Sequence, residues 1–154
     1  MTHLKEQDRA PYFEGVIETG ETIKLSDFED KKLVLYFYPK DFTGGCTKEA
    51  EDFALNHKFW IENGYEIVGV SPDTVDRHVK FIEKHKLPFH LIADTEKEIA
   101  SVYGVYGKKK MYGREYMGIF RTTFVIDGNG VITKIVKKVK TKEHTQQLKI
   151  LLDL

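Results

Sequence analysis

The sequence of 154 residues contains a single cysteine, Cys46, and that scarcity excludes a good deal. One thiol cannot close an intrachain disulfide, so a disulfide-stapled secreted scaffold is ruled out. With no signal peptide at its start, the chain is expected in a reducing cytoplasm. A dithiol redox motif would need a second cysteine at position 43, which is Thr43. The histidines (3, 57, 78, 85, 90 and 144) show no paired ligand spacing, so neither a metal nor another cofactor is expected. Net charge is also lacking: 24 Lys and Arg against 24 Asp and Glu leave no electrostatic footprint for nucleic acid or an anionic membrane. The longest apolar run, Leu33 to Tyr38, is far short of the roughly 20 residues that cross a bilayer. Lysine clusters at 108–110 and 137–140 read as solvated surface. No repeat, low-complexity stretch or linker divides the chain, so residues 1–154 are expected to form one domain.

What is present describes a globular α/β chain. Residues Tyr12 to Lys24 read as short strands turning at Gly15 and Gly20. Lys32 to Tyr38 has the continuous apolar pattern of a strand buried on both faces. Thr47 to Glu62 carries apolar residues at helical spacing and stops at Asn63-Gly64. Tyr65 to Val70 is a second buried strand. Asp73 is placed to cap a helix striped by Val75, Val79 and Ile82, which must end before Pro88. Phe89 to Ala93 is a short strand, and Asp94 caps a helix that Gly104 terminates. The Gly- and Tyr-rich stretch from Tyr103 to Gly118 reads as an excursion with aromatic packing rather than a base-stacking platform, given the neutral chain. Thr122 to Ile126 and Val131 to Val139 flank the hairpin turn Asp127-Gly-Asn-Gly130. Glu143 to Leu152 closes the chain as a helix with Leu148, Leu151 and Leu152 on one face. Strands alternating with helices, plus a late hairpin, predict a mixed sheet flanked by helices.

Cys46 falls where a strand hands over to a helix, and ligands of such sheets sit beyond the carboxyl ends of the strands. A thiol acts as a nucleophile only as the thiolate, and a free thiol titrates at about 8.5. A helix terminus contributes only about 0.3–1 kcal/mol toward the anion, up to ~2 in a good geometry, so a cation is required. Arg121, at the mouth of the apolar strand 122–126, is the candidate. Thr43-Gly44-Gly45 is too polar and flexible for a core segment but suits a loop whose backbone N–H groups meet a substrate. Two competing chemistries fail on spacing. A phosphate-binding loop needs Gly-Lys-Ser/Thr where Gly45 is followed by Cys46 and Thr47. A cysteine phosphatase needs an arginine shortly after the nucleophile, and residues 48–52 have none. A Cys-His hydrolase stays open, because a distant histidine can approach in the fold, but His57 lies roughly 16 Å along the helix from Cys46 and the other histidines read as surface residues.

The segment Tyr36-Phe-Tyr-Pro-Lys-Asp-Phe-Thr-Gly-Gly-Cys-Thr-Lys-Glu-Ala50 resembles the active-site segment of peroxiredoxins of the PrxQ or bacterioferritin-comigratory-protein group. The family pattern Pro-x-x-x-Thr/Ser-x-x-Cys is met by Pro39, Thr43 and Cys46. Gly69-Val-Ser-Pro-Asp73, Lys84-His-Lys-Leu-Pro-Phe89, Tyr103-Gly-Val-Tyr-Gly107, Met111-Tyr-Gly113, Tyr116-Met-Gly118 and Arg121 to Asp127 match as well, across nearly the whole chain. The resemblance implies a thioredoxin-like fold and a thiol-dependent peroxidase that reduces hydrogen peroxide and organic hydroperoxides through a Cys46 sulfenic acid. It assigns Thr43 and Arg121 as partners of Cys46 and has Pro39 shield the thiolate, with Gly45 and Glu49 in support. Two departures stand out. Gly44 replaces a proline common in the group. Glu51 stands where a resolving cysteine often follows, which implies a one-cysteine member reduced by thioredoxin, glutaredoxin or a small thiol, as a monomer or weak homodimer. The alternative class is a peroxide sensor or redox-signalling protein with little turnover.

Overall fold

The computed structural model describes residues 2–154. A five-stranded sheet runs β5-β4-β3-β8-β9, where β3 is Lys32–Phe37, β4 Tyr65–Ser71, β5 His90–Ala93, β8 Thr122–Ile126 and β9 Ile132–Val136. The β3–β4 and β4–β5 pairs are parallel; β3–β8 and β8–β9 are antiparallel, so the sheet is mixed, as the pattern of elements implied. Period-2 alternation splits β3 between two cores. Leu33, Leu35 and Phe37 join Phe13, Ile92, Tyr103 and Phe124 on one face. Val34 and Tyr36 join Phe53, Trp60, Phe81 and Leu148 on the other, which α1 (Gly44–Leu55), α2 (His57–Glu62), α3 (Val75–His85) and α5 (His144–Leu152) cover. Cys46 belongs to this second core.

Several sequence-based boundaries are corrected. The helix expected from Thr47 to Glu62 is two, broken at Asn56, whose side-chain amide donates to the Asp52 carbonyl and competes with the helical ladder. Gly15 lies inside β1 (Glu14–Val16) rather than at a turn, because a Cβ there would collide with Ile92. The turn to β2 (Thr22–Lys24) is made at Gly20, whose φ is +87°. Thr74, not Asp73, caps α3, accepting from the Arg77 N–H. Asp94 does serve α4 (Glu98–Val102): its carboxylate accepts from the N–H groups of Ile99 and Ala100. On α5 the buried stripe is His144, Thr145 and Leu148, while Leu151 is exposed.

The excursion is a hairpin arm, β6 (Tyr106–Met111) with β7 (Arg114–Ile119), whose strands the sequence pattern does not show. Its two-residue turn, Tyr112-Gly113, has φ of +52° and +77°, the primed geometry that matches strand twist. The expected aromatic packing holds at its base, where Tyr103 is buried against Phe13, Phe37 and Phe124 and Tyr106 packs on the same core, but not along the arm. Tyr112 is fully exposed and Tyr116 is 41% exposed, so the strand pattern is hidden in the sequence: no face of this arm alternates into the core.

Candidate active site

The loop from Pro39 to Thr43 carries the chain from the carboxyl end of β3 to the first turn of α1. Thr43 is the N-cap residue in extended conformation, followed by Gly44, Gly45 and Cys46 as the first three helical positions. The N–H groups of that first turn have no intrahelical acceptor, and the Thr43 side chain caps none of them, so they remain available to a ligand. Helix formation here aims backbone dipoles at the sulfur's surroundings.

The loop is anchored by buried polar groups that sequence reasoning did not connect. Asp41 accepts from the Tyr38 hydroxyl at 2.6 Å and bonds His78 Nδ1 at 2.6 Å. The backbone N–H of Asp41 donates to Asp73, which also accepts from the Ser71 hydroxyl and Arg77 Nε. His78 Nε2 meets the Ile92 carbonyl at 3.0 Å. Asp41, Asp73 and His78 place ligand-type atoms within 4.8 Å of one another, yet each of those atoms is already engaged in a hydrogen bond. The cluster reads as a clasp between the loop, β4, α3 and β5. His78 and His144 are both fully buried, against the expectation that the histidines other than His57 lie at the surface.

Arg121 arrives from the far side of the sheet end, immediately before β8. Its Nη2 donates to Cys46 Sγ at 3.2 Å and its Nη1 to Glu49 Oε1 at 2.7 Å. One guanidinium fork therefore spans two groups a helical turn apart on α1, as a planar, permanently charged side chain is built to do. Burial opposes the Arg121 charge, but the Glu49 carboxyl and the Cys46 sulfur outweigh it and hold the group above its ordinary range. Cys46 is 1% exposed. Gly45 gives the guanidinium room: a Cβ there would sit 3.3 Å from Nη2.

None of the remaining expected residues is hydrogen-bonded to the sulfur. Thr43 is exposed, and its hydroxyl donates to the Lys40 carbonyl at 2.8 Å rather than to Cys46. Pro39 is half-buried at the end of the β3 segment. Glu49 is fully buried, with Oε2 lacking any hydrogen-bond partner.

His144 is a neighbour that no sequence signal marked, lying about a hundred residues away and drawn in by the packing of α5 on α1. Its Nε2 is 2.8 Å from Thr123 Oγ1 and 3.8 Å from Glu49 Oε2. Burial pushes Glu49 up to about 7, with Arg121 only partly offsetting it, and burial pushes His144 down to about 4. From ordinary values of 4.5 and 6.5, folding thus shifts a proton within the pocket. Between those two pH values the unfolded chain holds it on the imidazole, and the native chain holds it on the carboxyl. The raised carboxyl alone makes stability fall as pH rises from 4.5 to about 7; the depressed imidazole alone makes it rise from about 4 to 6.5. The two slopes oppose each other over the shared range.

Comparison with known proteins settles the family. The AhpC/TSA family model matches residues 7–135. The chain belongs to that family. It is 50% identical over 139 residues to Peroxiredoxin Bcp of Bacillus subtilis (strain 168), covering 90% of this chain and 88% of the relative. A cysteine-to-serine variant of Xylella fastidiosa PrxQ superposes with a TM-score of 0.92 at 29% identity, covering 99% of this chain and 98% of that one. The bacterioferritin comigratory protein of Xanthomonas campestris, solved as trapped intermediate and ligand complexes bearing on alkyl peroxide reduction, superposes with a TM-score of 0.86 at 32% identity over 92% of this chain and 90% of that one. The chain is accordingly a peroxiredoxin of the Bcp/PrxQ group with a thioredoxin-like fold, and its one cysteine makes it a one-cysteine member.

The departure at Gly44 has a measurable consequence. This is the first helical position, Thr43 before it is extended as a pre-proline residue must be, and a side chain added there meets nothing within 4 Å. Gly44→Pro is expected to stabilise the fold by about 0.4–1 kcal/mol by restricting the unfolded chain. A urea midpoint that falls would show that this backbone cannot accept the ring.

Proposed function

We propose that Cys46 is the peroxidatic thiol of this thiol-dependent peroxidase, with Arg121 as its electrostatic partner and Thr43, Pro39, Gly45 and Glu49 shaping the pocket. The observation that carries the assignment is the 3.2 Å bond from the guanidinium of Arg121 to the sulfur of the chain's single cysteine, at a helix start with open N–H groups. In the first step a thiolate lone pair attacks the terminal peroxide oxygen, an S–O bond forms and the O–O bond breaks. The hydrogen stays on the transferred oxygen, giving a sulfenic acid. The electron pair leaves on the other oxygen, which takes a proton to become water or an alcohol. Sulfur is oxidised and the peroxide reduced. Charge moves along the O–O axis during the step, and fixed donors that need not reorganise stabilise it. Arg121 and the Gly45 and Cys46 N–H groups are such donors; the Thr43 hydroxyl joins them only by turning from the Lys40 carbonyl. Alkyl hydroperoxides are proposed substrates alongside hydrogen peroxide, in line with the Xanthomonas campestris relative.

The sulfenic acid must be resolved by a thiol from outside. Glu51, where a resolving cysteine often stands in this group, is exposed on α1. An external thiol condenses with the sulfenic acid to a mixed disulfide and water, and a second thiol releases Cys46 and a disulfide product. Thioredoxin, glutaredoxin or a small thiol is the proposed donor, in a reducing cytoplasm. Among the described residues, no helix is long and apolar enough to cross a membrane. Steady-state peroxide consumption against a panel of these donors tests the peroxidase reading; no turnover with any of them would favour a sensor instead. Intact mass supplies a second expected result. One equivalent of peroxide without thiol should add about 16 Da and a further equivalent about 32 Da in total, since no neighbouring sulfur intercepts the acid. Quantitative conversion to a disulfide-linked dimer would instead make a second copy's Cys46 the resolving thiol.

A further inference from the structure

We propose that His144 is a positioning residue for the Cys46–Arg121 pair, acting through the one carboxyl oxygen of Glu49 that has no partner. The inference rests on the peroxidase reading above and concerns how the charge of Arg121 is shared at that site.

The hydrogen bonds around His144 fix where its protons are. Gln147 Nε2 donates to the Lys138 carbonyl and its Oε1 accepts from the Lys140 N–H, so the side-chain amide has one orientation. The atom facing His144 Nδ1 at 2.8 Å is therefore the oxygen Oε1, and Nδ1 carries the hydrogen. In the neutral ring Nε2 is then a bare lone pair, which accepts from the Thr123 hydroxyl. The same lone pair lies 3.8 Å from Glu49 Oε2, buried and without a donor. An ionised Glu49 would set a negative oxygen against that lone pair. A protonated Glu49 turns an O–H toward it. The neutral ring therefore favours the protonated carboxyl, and the burial that holds Glu49 near 7 and His144 near 4 acts in the same sense.

The consequence falls on Arg121. When Glu49 is neutral, its Oε1 still accepts from Nη1, but the guanidinium faces only one full anion, the Cys46 thiolate beside Nη2. When Glu49 ionises, the guanidinium is shared between two anions and its hold on the thiolate weakens. The other titratable or charged groups coupled to this cluster are Asp52 on α1, Tyr36 on β3 and Lys109 on β6, and none of them supplies the missing donor to Oε2. His144 itself is held by packing edge-on against Phe53, with ring centroids 5.3 Å apart.

Two substitutions on either side of the lone pair should act in opposite directions. His144→Gln replaces the lone pair with an amide able to donate to Oε2, so Glu49 should ionise at lower pH. Thr123→Val, nearly isosteric, removes the competing hydroxyl and leaves Nε2 wholly to Glu49, so Glu49 should ionise at higher pH. Infrared difference spectra of the reduced protein, titrated from pH 5 to 9 without peroxide, read the protonated carboxyl band of Glu49, identified by its loss in Glu49→Gln. Shifts of about one pH unit in opposite directions are expected, with the alkaline limb of the peroxide rate following each. If His144→Gln does not fold, Thr123→Val alone must still move the band upward. A band that titrates at the same pH in every variant, or moves the same way in both, overturns the proposal. Because the infrared measurement needs no peroxide, failure of the peroxidase reading would leave the shifts in place, whereas failure of this inference would leave turnover intact with the band unmoved.

Discussion

Cys46→Ser should reduce peroxide consumption to the uncatalysed background, a loss on the order of 10⁴-fold or more, as when a sole nucleophile is removed from other enzymes. No second thiol exists to take over. A serine hydroxyl is scarcely ionised at neutral pH and cannot become a sulfenic acid, so Arg121 and the helix-start N–H groups would be left around an inert oxygen. The fold should survive, since a hydroxyl can replace the thiol as acceptor from Arg121 at nearly the same volume. The far-ultraviolet spectrum and urea midpoint should therefore stay close to wild type while turnover vanishes. Turnover within tenfold of wild type would remove Cys46 from the mechanism.

How much of this was legible beforehand follows from range. The strand–loop–helix around Cys46 is written in contiguous residues: an apolar run, a Pro, a Gly pair and a periodic helix. Arg121 was singled out because an arginine at the mouth of an apolar strand asks for a partner, and antiparallel pairing of β8 with β3 brings it to the end of the strand that delivers Cys46. The β6–β7 hairpin was missed because its faces do not alternate and its turn is Tyr-Gly rather than Asn-Gly. His78 and His144 were missed for another reason. Periodicity can place a histidine on a helix but cannot tell a solvated ring from one whose two nitrogens find buried partners, which only the packing of α3 and α5 supplies. Glu49 is named by the resemblance as a supporting residue, and the bond it accepts from Arg121 fits that, but nothing in the sequence signals its burial.

Arg121→Ala should carry two losses that separate by pH. The first is catalytic. Removing a preorganised donor aimed at developing charge costs on the order of 10²–10³ in rate, and here the same group also holds the sulfur, so kcat/KM for peroxide and the rate of Cys46 alkylation at neutral pH should fall together. Arg121→Lys should recover only part, because an ammonium cannot reach Cys46 and Glu49 at once as Nη2 and Nη1 do. The second loss is of stability. Breaking a buried pair by removing one partner costs about 3–5 kcal/mol when the survivor stays charged. Glu49 escapes by holding a proton, already favoured below about 7 in the wild type and favoured further once Arg121 is gone. The native state then binds a proton that the unfolded state releases above 4.5, so the variant's stability declines as pH rises from there and continues to decline beyond 7. The deficit against wild type should be about 1–2 kcal/mol at acidic pH, approaching the full pair-breaking value in alkali. Urea unfolding at pH 5.5 and 8.5 measures it. A deficit independent of pH would mean that Glu49 is not the group left behind, and an unchanged alkylation rate would make Arg121 a structural residue only.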